Sequence, residues 1–182
     1  MYLRAETIEC MKKNLYLIRH AIAEEGGNSP MFRDFDRDLI SSGIIEAARM
    51  GKFLAEKNIK FDLIVSSAAE RSKATAKIFA EQLHYDADAI VLDETMYGGG
   101  ARTYLAAVNQ LDESVKTVAI FGHNPDVTFF SEYLTRSDIG GSMETSAVIV
   151  LEFEDVKWAE VSSKQGKFIA HYSPKMINSK ID

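Results

Sequence analysis

Three short apolar runs along the chain each end abruptly in polar residues, and this pattern predicts buried strands. They are residues 15–18 (LYLI), 61–65 (FDLIV) and 117–121 (TVAIF). Nearly continuous apolar runs of this length are typical of strands that are covered on both faces of a sheet. The chain therefore contains at least three strands that we expect to lie inside a mixed α/β domain.

Between and after these runs, the apolar positions change to helical spacing. This spacing occurs in residues 43–56, 74–83 and 126–134, where it predicts helices that pack one face on the sheet. Near the end of the chain, residues 148–153 and 168–172 are separated by polar residues and predict a strand pair at the sheet edge. Alternation of strands and helices is typical of an α/β fold with a mostly parallel sheet.

Each of the three predicted strands is followed by a candidate catalytic side chain. Arg19 and His20 end the first strand, Arg71 lies in the first turn of the helix after the second, and His123 follows the third. A neutral histidine can attack phosphorus, and arginine offers a planar fork of donors to phosphoryl oxygens. Ligands of α/β sheets bind beyond the carboxyl ends of the strands. The pattern favours phosphoryl chemistry, although each residue alone also fits an ordinary surface or turn.

Arg71 carries a second indication of an anion. A cation in the first turn of a helix opposes the helix dipole, and the position is better explained if an anion is bound there as well. The alternative is a solvated arginine at the start of a helix.

The three strand-end motifs together resemble the histidine phosphatase superfamily, which has the phosphoglycerate mutase-like fold. The motifs are LYLIRHA, SSAAERSKATA and FGHNP, at residues 15–21, 66–76 and 121–125. Within this superfamily the chain is most similar to the short, SixA-like phosphohistidine phosphatases, over residues 11–182. The resemblance implies three α/β/α layers with a mostly parallel central sheet. Residues 34–43 also resemble the family's D-x-x-R-P-L-T-x-x-G segment, with Asp38 in place of proline.

The resemblance implies a role for each strand-end residue. His20 would attack phosphorus and carry the phosphoryl group, Arg19 and Arg71 would hold its oxygens, and His123 would donate a hydrogen bond if protonated. Neither a metal nor a cofactor is implied.

The resemblance leaves open which residue acts as the general acid. Residues 94–98 resemble the segment in which phosphoglycerate mutases place their acid, which makes Glu94 the candidate. A different register puts Thr95 in that place, and the short SixA-like branch often lacks the acid. A phosphohistidine substrate needs it less, because its P–N bond breaks readily once the imidazole is protonated.

Composition and charge indicate where the protein is located and which partners it does not bind. With 182 residues and 46% hydrophobic content, the chain can form one core without disulfides, and its single cysteine forms no disulfide framework. The formal charge of -6 argues against general nucleic-acid binding, and no apolar run reaches the length of a membrane span. We therefore expect a cytoplasmic protein.

The chain is interpreted as a single domain over residues 11–182. Residues 1–10, which precede it, are interpreted as an N-terminal extension, as the result of an upstream start codon, or as a docking segment.

Three functions remain open at this stage. The first is hydrolysis of phosphohistidine on a phosphorelay protein, because the chain has little room for a cap over the site. The second is a small-molecule phosphomonoesterase of the same fold, for which Glu94 and a deeper pocket would be needed. The third is a phosphate-binding module without activity. The expected partner is thus a phosphorylated protein, such as a histidine phosphotransfer domain, or a small phosphoester.

Overall fold

The computed structural model describes residues 11–27 and 33–178 of the chain. The interpretation of residues 1–10 as an extension lies outside the described residues. Within them, six strands form one sheet: β1 (Lys12–Arg19), β2 (Leu63–Ser67), β3 (Val91–Asp93), β4 (Thr117–Gly122), β5 (Val148–Glu154) and β6 (Lys167–Tyr172). The α-helices are α1 (Ser41–Glu56), α2 (Glu70–Gln82), α3 (Ala101–Asn109), α4 (Asp126–Leu134) and α5 (Pro174–Asn178).

The sheet is mostly parallel, as the sequence predicts. Its strand order is β3-β2-β4-β1-β5-β6. The first four of these strands are parallel to one another, whereas β5 runs antiparallel to β1 and β6 antiparallel to β5. The predicted C-terminal strand pair is therefore confirmed at one end of the sheet.

Helices cover both faces of the sheet and enclose two separate cores. Leu15 and Leu17 of β1 pack on one side with α3 and α4, while Tyr16 and Ile18 pack on the other with α1 and α2. Because alternate side chains of the strand are buried on opposite faces, the run reads as continuously apolar. The three-layer α/β/α architecture follows from this double burial.

Most predicted elements are confirmed, and one strand escapes prediction. Helix α4 has the predicted bounds, and α1 begins two residues before the predicted segment 43–56. The strand β3 has three residues, and its side chains Val91 and Leu92 are about half exposed. A strand this short, at the sheet edge, has no periodicity that would distinguish it from a loop.

The strand order explains how residues distant in the sequence meet. Strand β4 lies between β1 and β2, so the carboxyl ends of these three strands are neighbours. Arg19 at the end of β1 pairs with Gly122 at the end of β4, which places His20 beside His123. The helix that carries Arg71 begins shortly after β2. No helix in the described part of the chain is both long and apolar enough to cross a membrane.

Candidate active site

His20 is held in one tautomer by its own backbone neighbourhood. Its Nδ1 lies 2.7 Å from the carbonyl oxygen of Ala21. Since a carbonyl only accepts, Nδ1 carries the proton and Nε2 keeps its lone pair. The Nε–H of Arg71 points at this Nε2 from 3.3 Å. The nitrogen that would attack phosphorus is therefore unprotonated and adjoins a cation.

Thr75 links the His20 turn to the helix that carries Arg71. Its hydroxyl accepts a hydrogen bond from the backbone N–H of Ala21 at 3.0 Å and donates one to the carbonyl oxygen of Arg71 at 2.7 Å. Thr75 is fully buried, so these bonds are shielded from water. One side chain thus fixes the position of His20 relative to Arg71.

The surroundings keep His20 neutral near pH 7. Burial lowers the pKa of His20 to about 4, and the charges of Arg71, Arg19 and Arg37 act in the same direction. The hydrogen bond to the Ala21 carbonyl opposes this shift. A positively charged imidazole is disfavoured in a partly buried position next to cations, so the neutral form dominates at neutral pH.

Arg71 is almost completely buried, and three of its five N–H donors form hydrogen bonds with His20 and Asp34. Nη1 donates to the carbonyl oxygen of Asp34 at 2.7 Å, and Nη2 donates to the Asp34 carboxylate at 3.0 Å. The guanidinium also lies 5.7 Å from the centre of the Tyr97 ring. The carboxylate of Asp34 thus takes the position on Arg71 that an anionic ligand would prefer.

Asp34 is held on Arg71 by further donors. The Tyr97 hydroxyl donates to one carboxylate oxygen at 2.7 Å, and the Nε–H of Arg37 donates to the other at 2.7 Å. The hydrogen bond from Tyr97, together with the charges of Arg71 and Arg37, lowers the pKa of Asp34 below its ordinary value. Asp34 is therefore ionised at neutral pH and balances part of the arginine charge.

His123 stacks near His20 and is also neutral. The two ring centres are 5.2 Å apart, and Nε2 of His123 lies 2.9 Å from the Ser67 hydroxyl. Burial lowers the pKa of His123 to about 3, with His20 and Arg71 adding to the effect. The protonated form considered in the sequence analysis is therefore disfavoured. If the Ser67 hydroxyl donates to Nε2, the buried Nδ1–H is left as the donor, and it has no partner within the described residues.

Gly122 leaves room for the Tyr104 side chain to bind the backbone of His123. The Tyr104 hydroxyl accepts the N–H of His123 at 3.0 Å. A Cβ atom at Gly122 would lie 2.0 Å from that hydroxyl oxygen. A side chain at position 122 would therefore prevent Tyr104 from approaching this closely.

Arg19 contributes charge to the site, but its guanidinium is tied to another loop. Its Nη1 donates to the carbonyl oxygen of Met143 at 2.9 Å, an oxygen that also accepts from the Asn124 side chain at 2.9 Å. Its buried Nε has no partner within residues 11–27 and 33–178. Burial lowers the pKa of Arg19, and the charge of Glu46 opposes that shift.

A cavity of about 420 Å³ opens beside Arg71 and His123. Its described lining residues are Asp34, Arg71, Tyr97, Gly98, Gly100, His123, Asn124, Pro125 and Asp126. Across the described residues, no group of three or more His, Cys, Asp or Glu side chains is placed to hold a metal ion. The cavity combines a buried cation, a buried neutral imidazole and two carboxylates.

Comparison with known proteins shows which family this arrangement resembles. Residues 15–99 match the model of the histidine phosphatase superfamily (branch 1). The fold matches the protein assigned as the phosphohistidine phosphatase SixA of Agrobacterium tumefaciens, with a TM-score of 0.73, 29% identity, and coverage of 89% of this chain and 98% of that one. The chain is thus similar to the histidine phosphatase superfamily over residues 15–99 and to a SixA structure over most of its length. The SixA likeness matches the SixA-like branch of the sequence analysis.

Other similar proteins are more distant or match over a shorter region. A SixA structure from Nakamurella multipartitia shares the fold, with a TM-score of 0.74 and 24% identity over 90% of this chain and 96% of that one. The 2,3-bisphosphoglycerate-dependent phosphoglycerate mutase of Bartonella tribocorum is 37% identical over 73 residues, 40% of this chain. The match spans about a third of the mutase, 35% of its length. Together these likenesses support a phosphatase or mutase-like function.

The structure brings four of the five candidate residues together. His20, Arg71 and His123 are in direct or near contact, and Arg19 acts on His20 through its charge. Glu94 is exposed at the start of a short 3-10 helix; like Arg19 and His20, it is not among the described residues that line the cavity. Its role as a general acid stays a prediction. The alternative residue, Thr95, is also exposed, and its hydroxyl donates to Asp93 at 2.6 Å.

Sequence reasoning did not place Asp34, Tyr97, Ser67 and Asp126 in the site. For Asp34 the signal was present, since it is the first residue of the segment that resembles D-x-x-R-P-L-T-x-x-G. Ser67 ends the second strand and was visible as a polar strand end. Nothing in the sequence indicates that Tyr97 would reach across to Asp34, 63 positions away.

Proposed function

We propose that this protein is a phosphatase that forms a phosphohistidine intermediate on His20 and hydrolyses phosphohistidine on a phosphorelay protein. The observation that carries the proposal is the state of His20. Its Nδ1–H is committed to the Ala21 carbonyl, and its unprotonated Nε2 accepts a hydrogen bond from the Nε–H of Arg71. This combination of a fixed tautomer and an adjacent cation suits in-line attack on a phosphoryl group.

The chemistry can be written with water as the only co-reactant. Nε2 of His20 forms a bond to phosphorus while the bond to the leaving nitrogen breaks, and the electron pair of that bond stays on the leaving imidazole, which departs neutral because its other ring nitrogen carries a proton. Water then attacks the phosphorus, the bond to Nε2 breaks, and inorganic phosphate leaves while one proton of the water passes to solvent. Arg71 would stabilise the oxygens in both steps, since electrostatic stabilisation is usually the largest catalytic contribution.

Asp34 occupies one N–H of each Nη group of Arg71, so a phosphoryl group would share the guanidinium with Asp34 or displace it. The two Nη groups that contact Asp34 belong to the guanidinium whose Nε adjoins His20. A phosphoryl group on Nε2 is therefore within reach of Arg71. Asp34 lies at the start of a 3-10 helix and its side chain is 48% exposed, so a movement would have to break its hydrogen bonds with Tyr97 and Arg37.

A protein substrate is favoured by the shape of the site and by the SixA likeness. The cavity is bounded on one side by Tyr97, Gly98 and Gly100, where the chain forms a short loop rather than a cap. A phosphorylated imidazole on a protein surface can approach such a site without a lid having to close. The 29% identical structure from A. tumefaciens is assigned to the same class of substrate.

The experiment compares turnover of a phosphohistidine-bearing phosphotransfer protein with turnover of a panel of small phosphomonoesters. Wild type, His20→Ala and the exposed-histidine control His84→Asn are assayed with a chelator present. We expect faster turnover of the phosphoprotein, loss of turnover in His20→Ala and normal turnover in His84→Asn. Equal turnover in wild type and His20→Ala would contradict the covalent mechanism.

The same assay separates this function from the small-molecule alternative. Faster turnover of one phosphomonoester than of the phosphoprotein would instead indicate a metabolic phosphatase. In that case Glu94→Gln should slow hydrolysis of an alkyl phosphate much more than hydrolysis of an aryl phosphate, whose leaving group needs little protonation. Equal losses on both would show that Glu94 is not the acid.

A further inference from the structure

The two serines that end β2 bind on opposite faces of the sheet. Alternate side chains of this strand are buried in the two separate cores. The hydroxyl of Ser66 therefore reaches α2, where it lies 3.1 Å from the hydroxyl of Ser72. The Oγ of Ser67 lies on the other side, 2.9 Å from Nε2 of His123. Ser67 is fully buried, so this contact with His123 is shielded from water.

The hydrogen bonds of Ser67 indicate which of the two groups donates. Its Oγ already accepts the backbone N–H of Ala69 at 3.4 Å. The one acceptor for its O–H among the described residues is Nε2 of His123. With the ring proton on Nε2, the Ser67 O–H would have no acceptor there, and Nδ1 of His123 would also be unpaired. Because a buried polar group without a partner costs free energy, hydrogen bonding favours the tautomer with the proton on Nδ1.

The Nδ1 of His123 has the properties of a binding group that awaits its partner. It is buried and has no partner among the described residues, although the ring lines the cavity beside Arg71. Phosphoryl oxygens only accept hydrogen bonds, so they would satisfy an Nδ1–H but not a lone pair on Nδ1. The tautomer of His123 thus decides whether this nitrogen attracts or repels a phosphoryl oxygen.

We propose that Ser67 is a positioning residue that holds the proton of the His123 ring on Nδ1, so that this N–H donates to a phosphoryl oxygen. The inference rests on the proposed function and adds a residue to it. The neutral ring of His123 carries one proton, and no other described side chain hydrogen-bonds either of its ring nitrogens. Its ring centre is 5.2 Å from that of His20, close enough for a fixed donor to stabilise the transferring group. Ser67 acts only through His123.

The first test measures the tautomer directly and needs no substrate. Long-range 1H–15N NMR spectra at pH 7 show which nitrogen of each histidine ring is protonated, and the His123 signals are assigned by their loss in His123→Gln. We expect a proton on Nδ1 in wild type and a mixture of both tautomers in Ser67→Ala. The matched control is Ser131→Ala, which removes an equally buried hydroxyl that donates to the Val127 carbonyl at 2.8 Å. It should keep the wild-type spectrum.

The second test measures turnover of the phosphohistidine-bearing phosphotransfer protein by the same variants. Ser67→Ala should lower kcat about tenfold, the effect of losing one well-placed hydrogen bond. Ser67→Thr keeps a hydroxyl and should recover both the Nδ1 proton and most of kcat. Ser131→Ala should keep the wild-type kcat. If Ser67→Ala does not fold, Ser67→Cys takes its place, because a thiol is a weaker donor than a hydroxyl.

The outcomes separate the role of Ser67 from the proposed function. A wild-type His123 ring protonated on Nε2, or an Nδ1 proton fully retained in Ser67→Ala, would overturn the inference and leave the proposed function standing. An unchanged kcat in Ser67→Ala, or equal falls in Ser67→Ala and Ser131→Ala, would also overturn it. If the spectra show the expected tautomers but wild type and His20→Ala turn over the phosphoprotein equally, the proposed function fails instead.

Discussion

The buried neutral state of His123 has a measurable effect on stability in mild acid. His123 is 7% exposed, and its pKa falls from 6.5 to about 3 on folding. At pH 5 the unfolded chain therefore binds a proton at this residue that the folded chain does not. Stability from this difference is complete above pH 6.5 and decreases as the pH falls toward 3. Because pH 5 is about 1.5 units below the unfolded pKa, the loss is about 2 kcal/mol.

The assay is urea unfolding at pH 7 and pH 5 in wild type, His123→Gln and the exposed-histidine control His84→Asn. The fall in unfolding free energy between the two pH values should be about 2 kcal/mol smaller in His123→Gln than in wild type. His84→Asn should retain the wild-type difference. Equal falls in wild type and His123→Gln would refute the reasoning. If His123→Gln does not fold, an NMR titration of the His123 ring in wild type decides the matter, since titration near pH 6.5 would contradict burial of the neutral form.

Three further changes probe the site and its support. Asp34→Asn should tighten inorganic phosphate binding about fivefold by calorimetry, because Arg71 loses its internal anion. Gly122→Ala should lower the unfolding free energy in urea by about 2 kcal/mol, since its methyl group overlaps the Tyr104 hydroxyl. Lys13→Ala should cost about 2 kcal/mol in the same assay, because it removes a fully buried ammonium from its half-exposed carboxylate partner. Unchanged phosphate affinity or unchanged urea midpoints would contradict the respective statements.

The central part of the site could be predicted from the sequence because its residues lie at the ends of regular strands and at the start of a helix. His20 and His123 follow directly from strands whose apolar runs are buried on both faces, and Arg71 begins a helix with a clear apolar period. Parallel strands place their carboxyl ends at one edge of the sheet, so residues from distant segments converge there. Strand and helix patterns were therefore sufficient to locate these three side chains near one another.

Contacts made by irregular segments could not be predicted in the same way. Asp34 reaches Arg71 from a short 3-10 turn, and Arg19 is bound to the backbone carbonyl of Met143. Loop conformations have no period, and a carbonyl acceptor is present at every residue, so the sequence carries no signal for either contact. The position of Glu94 depends in the same way on the turn that follows a three-residue edge strand.

The contact between Asp34 and Arg71 bears on how the product leaves. A carboxylate tethered beside its arginine competes with free phosphate at a high effective concentration, whereas phosphate must be supplied from solution. In the proposed mechanism, the return of Asp34 to Arg71 after hydrolysis would displace a phosphate ion held by the same guanidinium. Phosphate would then inhibit the reaction little, even at concentrations that would saturate an arginine without a tethered carboxylate. Turnover would be limited by steps that precede product release.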